Sequence, residues 1–292
     1  MGTSGRPGAL RIPAVIAQLG VNHDGSLARA VALIEMAVSC GVQAVCLPVY
    51  QAGLCMPDPW SATPGPLPAL DLDSETVRAC ELGAPAIRHC IALARSRRID
   101  IGLHACDPVS LVLSQELGPD FLVLDLQNGQ ADTLLELALE TRIPLVVQLG
   151  EADTGDLDQL RQHLGAHAGR TLVMHGALPA PLDEGSASPD RVSMLERWFE
   201  RCGFCDHTGS LACALAATHA GAQAISVHIT LDRAAPGPCH HWGLDRTMLS
   251  SYVATLRRKP ATIHSIPALR PVGSHWWEQS DDRREGTGNA RA

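Results

Sequence analysis

An α/β chain forming one (β/α)8 barrel of the TIM type is what the sequence predicts. Three observations lead there: short apolar runs alternate strictly with longer segments of helical periodicity, eight of each can be counted, and the 292-residue chain is close to the roughly 250 residues that eight βα units occupy. Composition agrees. Hydrophobic residues make up 46% but aromatics only 3%, so the core must be built from Ala, Val, Leu and Ile, as in strands buried on both faces. An open doubly wound sheet made from the same units is the alternative.

In chain order, the first apolar run, 13–19, passes through Asn22, His23, Asp24 and Gly25 into a helix over 27–40. Gly25 permits the turn there, and Ser26 is placed to cap the helix. Strand 43–50 is followed by the stretch 51–74, whose five prolines read as a long loop, and then by helix 81–97. The remaining pairs are strand 99–104 with helix 108–117, 120–126 with 131–140, 143–149 with 155–165, and 170–175 with 189–202. Strand 203–206, the shortest and most weakly signalled, precedes helix 209–220, and strand 222–228 precedes helix 244–257. One domain over 12–258 is therefore expected, flanked by a flexible segment 1–11 and a disordered tail 259–292 that loses periodicity.

The formal charge of −8 and pI near 5.9 exclude the basic stripe that nucleic acid or an anionic membrane surface would require. No apolar run reaches the ~18 residues of a membrane-spanning helix, and the N-terminus lacks a signal-peptide core, so a cytoplasmic protein is expected. Ten cysteines spread over so long a chain read as reduced thiols rather than a disulfide framework. Cys202 and Cys205 have CxxC spacing, but no second such pair accompanies them, and Cys205 is retained as a pocket residue instead of a zinc or redox cysteine.

Active sites of such barrels lie at the carboxyl ends of the strands. Five of the thirteen histidines, His23, His104, His175, His207 and His228, fall at that rim. A rim of imidazoles without matching carboxylates suggests a metal held by neutral nitrogens, or proton transfer near neutral pH.

Four colinear blocks between about residues 12 and 250, "AQLGVNHDGSLARAVALI", "LVMHGALPAP", "CDHTGSLACALAATHAGAQAISVHITLD" and "PGPCHHWGLD", carry a family likeness. The chain resembles the sialic acid (N-acetylneuraminate) synthases, whose corresponding motifs read "AEIGVNHNG", "LLHC", "SDHT" with "EKHFTLD", and "PGPDHKASLD". The resemblance implies the same barrel, a place in carbohydrate biosynthesis, and a transferase that condenses phosphoenolpyruvate with an N-acyl amino-sugar aldehyde with help from a divalent metal, usually manganese. Family metal histidines match His207 and His228, and the resemblance puts Asn22, His23, His175 and Asp206 in catalytic positions. Thr208 is retained at the pocket. A member of the family without its C-terminal antifreeze-like domain is expected.

Other family positions are changed. Gln18 stands for a glutamate, Cys46 and Leu122 for lysines, Pro48 for a glutamine, Asp125, Gln148 and Cys205 for serines, and Cys239 for an aspartate. Each charge-assisted hydrogen bond lost is worth about 1.5–3 kcal/mol, so little phosphoenolpyruvate binding is expected. Cys239 as a third ligand would favour zinc or iron(II) over manganese. The expected partner is a small carbonyl or sugar substrate, with no nucleic acid or membrane, and a homodimer is kept as an option. A lyase or isomerase acting on a less anionic carbonyl compound, and a non-catalytic paralogue with a binding role, are the alternatives.

Overall fold

The computed structural model describes residues 12–55, 74–127, 131–176 and 180–258. The expectations for 1–11, for 56–73 of the Pro-rich stretch and for 259–292 lie outside the described residues. Eight parallel strands, β1 (Ala14–Gln18), β2 (Ala44–Val49), β3 (Asp100–Ala105), β4 (Phe121–Asp125), β5 (Leu145–Leu149), β6 (Thr171–His175), β7 (Cys202–Asp206) and β8 (Ala224–His228), pair in sequence order. β8 then pairs with β1, from Ala14↔Ala224 to Gln18↔His228, and the sheet is closed. The open-sheet alternative is thereby eliminated. Among the described residues no helix is long and apolar enough to cross a membrane.

Each strand is followed by a helix: α1 (Leu27–Cys40), α2 (Ala84–Arg97), α3 (Pro108–Leu117), α4 (Ala131–Leu139), α5 (Thr154–Leu164), α6 (Arg191–Leu195), α7 (Leu211–His219) and α8 (Arg246–Arg257). Short helical segments at Ala52–Cys55 and Ser74–Ala79 lie between β2 and α2. Polar caps start several helices: Ser26 accepts from the Arg29 N–H, Asp107 from Ser110, and Asp245 from Met248, satisfying amides the helix leaves unpaired. Several expected helices are shorter than the sequence suggested. α2 starts at Ala84 because Pro85 belongs in a first turn. α6 ends at Leu195, where the chain tightens so that the Trp198 and Phe199 amides both reach the Leu195 carbonyl, burying Phe199 before the chain re-enters the sheet at Cys202.

Side chains alternate between two apolar shells. Outward residues such as Ile101, Leu103, Leu122, Leu124, Val173 and Ile225 pack under the helices. Inward ones, among them Ile16, Ala44, Cys46, Phe121, Val123, Val146, Met174 and Cys205, fill the lumen. Phe121 is fully buried on the lumen side, and Gly102 on the neighbouring strand makes room for it: a methyl group there would lie 2.1 Å from the Phe121 ring. The lumen is consequently a packed core, as in other barrels of this type.

Gly102→Ala should destabilise the fold by about 1–3 kcal/mol through overpacking. Urea denaturation checks this, and adding Phe121→Leu should recover part of the loss.

Candidate active site

Alternation along the strands carries the inward direction up to the mouth, where it presents two polar arcs. One is formed by Gln18 on β1, His228 on β8 and His207 just beyond β7, with Gln18 registered against His228. The other is formed by His104 on β3, Asp125 on β4 and Gln148 on β5. His104 registers with Val123, two residues before Asp125, and Asp125 registers with Gln148. Between the arcs lie Pro48 above Cys46 on β2, and Met174 on β6. Cys205 sits beneath His207, its thiol against Ser226. Burial pushes the Cys46 thiol far upward and that of Cys205 to about 12, so both are neutral.

The His207 and His228 rings are 6.0 Å apart between centroids and tilted by 60°. Trp242 lies against His228 with centroids 4.3 Å apart and the rings tilted by 49°, and it meets His207 edge-on at 6.5 Å. Behind His228 is Gly20, in the left-handed region at φ 52°, where a Cβ would approach Nδ1 to 2.9 Å. That Nδ1 is buried without a hydrogen-bond partner. Burial, reinforced by His207 and His104, holds His228 well below the ordinary histidine pKa. His104 is lowered mainly by burial, with Asp125 opposing. His104 and His228 are therefore held as neutral imidazoles at the mouth.

The turn after β1 anchors the segment after β8. Asn22 Nδ2 donates to the carbonyls of Ile229 (2.8 Å) and Cys239 (3.4 Å). Asp24, at φ 47°, pairs with Arg29 (2.9 Å) and with the buried His240 (3.1 Å), whose other nitrogen meets Thr230 Oγ1 at 2.7 Å. His23 Nδ1 accepts from the Gly25 N–H, so its buried Nε2 carries the proton.

Several expected site residues take other places. Asp206 faces outward and is saturated: Oδ1 accepts from the Thr208 amide and hydroxyl and from the Gly209 amide, and Oδ2 from Tyr252 on α8 at 2.7 Å. Asp206 and Thr208 thus build the turn that presents His207. His175 registers with Leu149 of the outer shell, and its ring lies 6.3 Å from Phe204, which is also in that shell. It points away from the lumen. Leu122 likewise belongs to the outer shell and does not occupy a lumen position. Cys239 packs in an apolar cluster with Val21, Tyr50, Val77, Cys80, Cys106 and Trp242, its thiol raised to about 12 chiefly by burial. Among the described residues, no three His, Cys, Asp or Glu side chains converge closely enough to hold a metal ion. Trp242, His240 and Tyr252 were not anticipated; a tryptophan inside a recognisable block of an aromatic-poor chain was the one available signal.

Residues 33–265 match the NeuB family. The chain belongs to the NeuB family. Within it, this NeuB-family barrel is 27% identical over 256 residues to the spore coat polysaccharide biosynthesis protein SpsE of Bacillus subtilis, covering 85% of this chain and 68% of that protein. It is 27% identical over 254 residues to the N,N'-diacetyllegionaminic acid synthase of Campylobacter jejuni, covering 84% and 75%. A crystallised N-acetylneuraminic acid synthetase from Leptospira borgpetersenii superposes with a TM-score of 0.74 over 87% of this chain and 88% of its own, at 20% identity, a likeness of fold. NeuB relatives with sugar-biosynthetic names place the chain in a sialic-acid-synthase-like family of carbohydrate biosynthesis.

Two measurements test this geometry. Burial lowers His23 from 6.5 to about 4, so the unfolded chain takes up a proton that the folded protein refuses. Its contribution is complete above about pH 6.5 and is lost toward pH 4, about 3 kcal/mol for the full shift. Chemical denaturation across that range should show a shallower acid-side loss in His23→Gln. Tyr252→Phe, which strips a donor from buried Asp206, should cost about 1–3 kcal/mol in the same assay.

Proposed function

We propose that this NeuB-family barrel is a metal-assisted enzyme of carbohydrate biosynthesis acting on a neutral or weakly charged sugar or other carbonyl compound, and that it does not use phosphoenolpyruvate. One observation carries the reading: the imidazole arc is intact, while the positions that the family resemblance assigns to anion binding hold neutral Cys46, Gln148 and Cys205 together with the Asp125 carboxyl. The whole sequence contains a single lysine, Lys259. Among the described residues a trianionic ligand would meet no ammonium group at this mouth and one carboxylate in the facing arc, an arrangement that costs Coulomb energy instead of supplying it.

His207 and His228 would hold the divalent ion through two neutral nitrogens, leaving its other positions to substrate and water. When bound, such an ion polarises a carbonyl oxygen. The 6.0 Å centroid separation is within about 1 Å of the ~4.5–5.2 Å expected when two imidazole nitrogens each sit about 2.0–2.1 Å from one metal. Cys239, buried in its apolar cluster, supplies no reason to prefer zinc, and manganese follows from the resemblance alone. Gln18 and Gln148 offer amide groups to substrate hydroxyls from opposite walls. The names of the Bacillus and Campylobacter relatives support a sugar-like substrate.

Phosphate release from phosphoenolpyruvate in the presence of N-acetylmannosamine should stay at background with manganese or zinc. Robust sugar-dependent release would sink the reading. Elemental analysis of untagged protein should find about one divalent ion per chain, lost in a folded His207→Ala, His228→Ala variant; equal content in both would remove the metal assignment.

A further inference from the structure

Phosphoenolpyruvate brings its carbon nucleophile already in enol form, whereas a carbonyl compound does not. If the barrel works without phosphoenolpyruvate, as proposed above, it must generate the enol from its own substrate, and that requires a base near the carbon beside the carbonyl. The wall facing His207 and His228 contains such a group. His104 is inward on β3, because its neighbours Leu103 and Ala105 pack in the outer shell while Gly102 lies against the lumen ring of Phe121. It is half-buried, and its ring makes no hydrogen bond to a described residue.

Asp125 is the next inward side chain on the adjoining strand beyond Val123, the residue registered with His104. Its Oδ1 accepts from the Gln127 amide (2.9 Å) and side chain (3.3 Å), which fixes the carboxylate at the mouth. Burial keeps the His104 imidazole in its neutral, proton-accepting form, and the nearby Asp125 charge opposes burial by favouring the protonated form.

We propose that His104 is the acid–base residue of this site, with the Asp125 carboxylate beside it on the adjoining strand stabilising the protonated imidazole through its charge, and that the barrel enolises a neutral carbonyl substrate held between the two arcs. An imidazole nitrogen of His104 takes the proton from the carbon next to the carbonyl. The C–H electron pair becomes the new C=C bond, and the carbonyl π pair moves onto the oxygen, directed toward His207 and His228. Return of the proton to the same carbon regenerates the substrate with its hydrogen exchanged. In an α-hydroxy carbonyl compound, delivery to the former carbonyl carbon, with the hydroxyl proton passing to the old carbonyl oxygen, moves the carbonyl by one position. No oxidant or reductant takes part.

The test is hydrogen exchange in D2O with manganese-loaded protein, using N-acetyl-D-mannosamine and D-fructose as separate probes and following the protons beside each carbonyl by NMR. Wild type should exchange at least one probe above the buffer blank. His104→Gln should lower the rate by at least ~100-fold, with metal content and Tm retained. Asp125→Asn should lower it by a smaller factor and shift the imidazole 15N signals of His104, a change that a purely structural residue would not produce. Exchange of neither probe by wild type, or undiminished exchange in His104→Gln, overturns the proposal. Should His104→Gln fail to fold, unchanged exchange and unchanged 15N signals in Asp125→Asn overturn it. The reading of the site as metal-bearing and independent of phosphoenolpyruvate stands or falls separately, on the phosphate and metal assays.

Discussion

The pairing of β8 with β1 is the contact on which the rest of the molecule depends. A parallel sheet left open would expose two edges of unpaired backbone groups; here the ladder from Ala14↔Ala224 to Gln18↔His228 removes them. The Ile229 amide continues it to the Gln18 carbonyl. Closure also sets the site, because it brings the end of the last strand against the first turn, so that Gly20 backs His228 and Asn22 holds the segment that carries Trp242.

The chemistry of the mouth follows from what burial does to uncharged groups. Imidazoles lose affinity for protons and thiols hold theirs, so a ring of histidine and cysteine side chains stays near neutrality in an environment that would magnify any charge. Two histidines on one wall and a histidine with a carboxylate on the other give that neutral ring a polarity across the lumen. A substrate carbonyl can be oriented by such a field without any of the ammonium groups that phosphate recognition calls for.

Much of this was legible in the sequence because strand alternation is a local property. Every strand was placed within two residues at each end, and His207 and His228 were correctly located at the ends of consecutive strands. Resemblance, however, assigns positions along the chain and not faces of a strand. Asp206 and His207 are neighbours, yet one turns outward to Tyr252 and the other inward to the lumen. His175 faces outward for the same reason, its parity following Leu149 of the outer shell. Cys239 and His240 lie in a loop, where no period decides direction and only long-range packing does.

The two bonds of the Asn22 amide reach carbonyls 207 and 217 residues away in sequence. Contacts of such span carry a large loop-closure entropy and form only once the intervening chain is in place. During synthesis, seven strands and their helices would emerge before any part of the His207 and His228 wall could be secured. Assembly of the mouth is in this sense a completion signal: a chain interrupted before β8 has neither a closed sheet nor a site, and function appears only with the last strand.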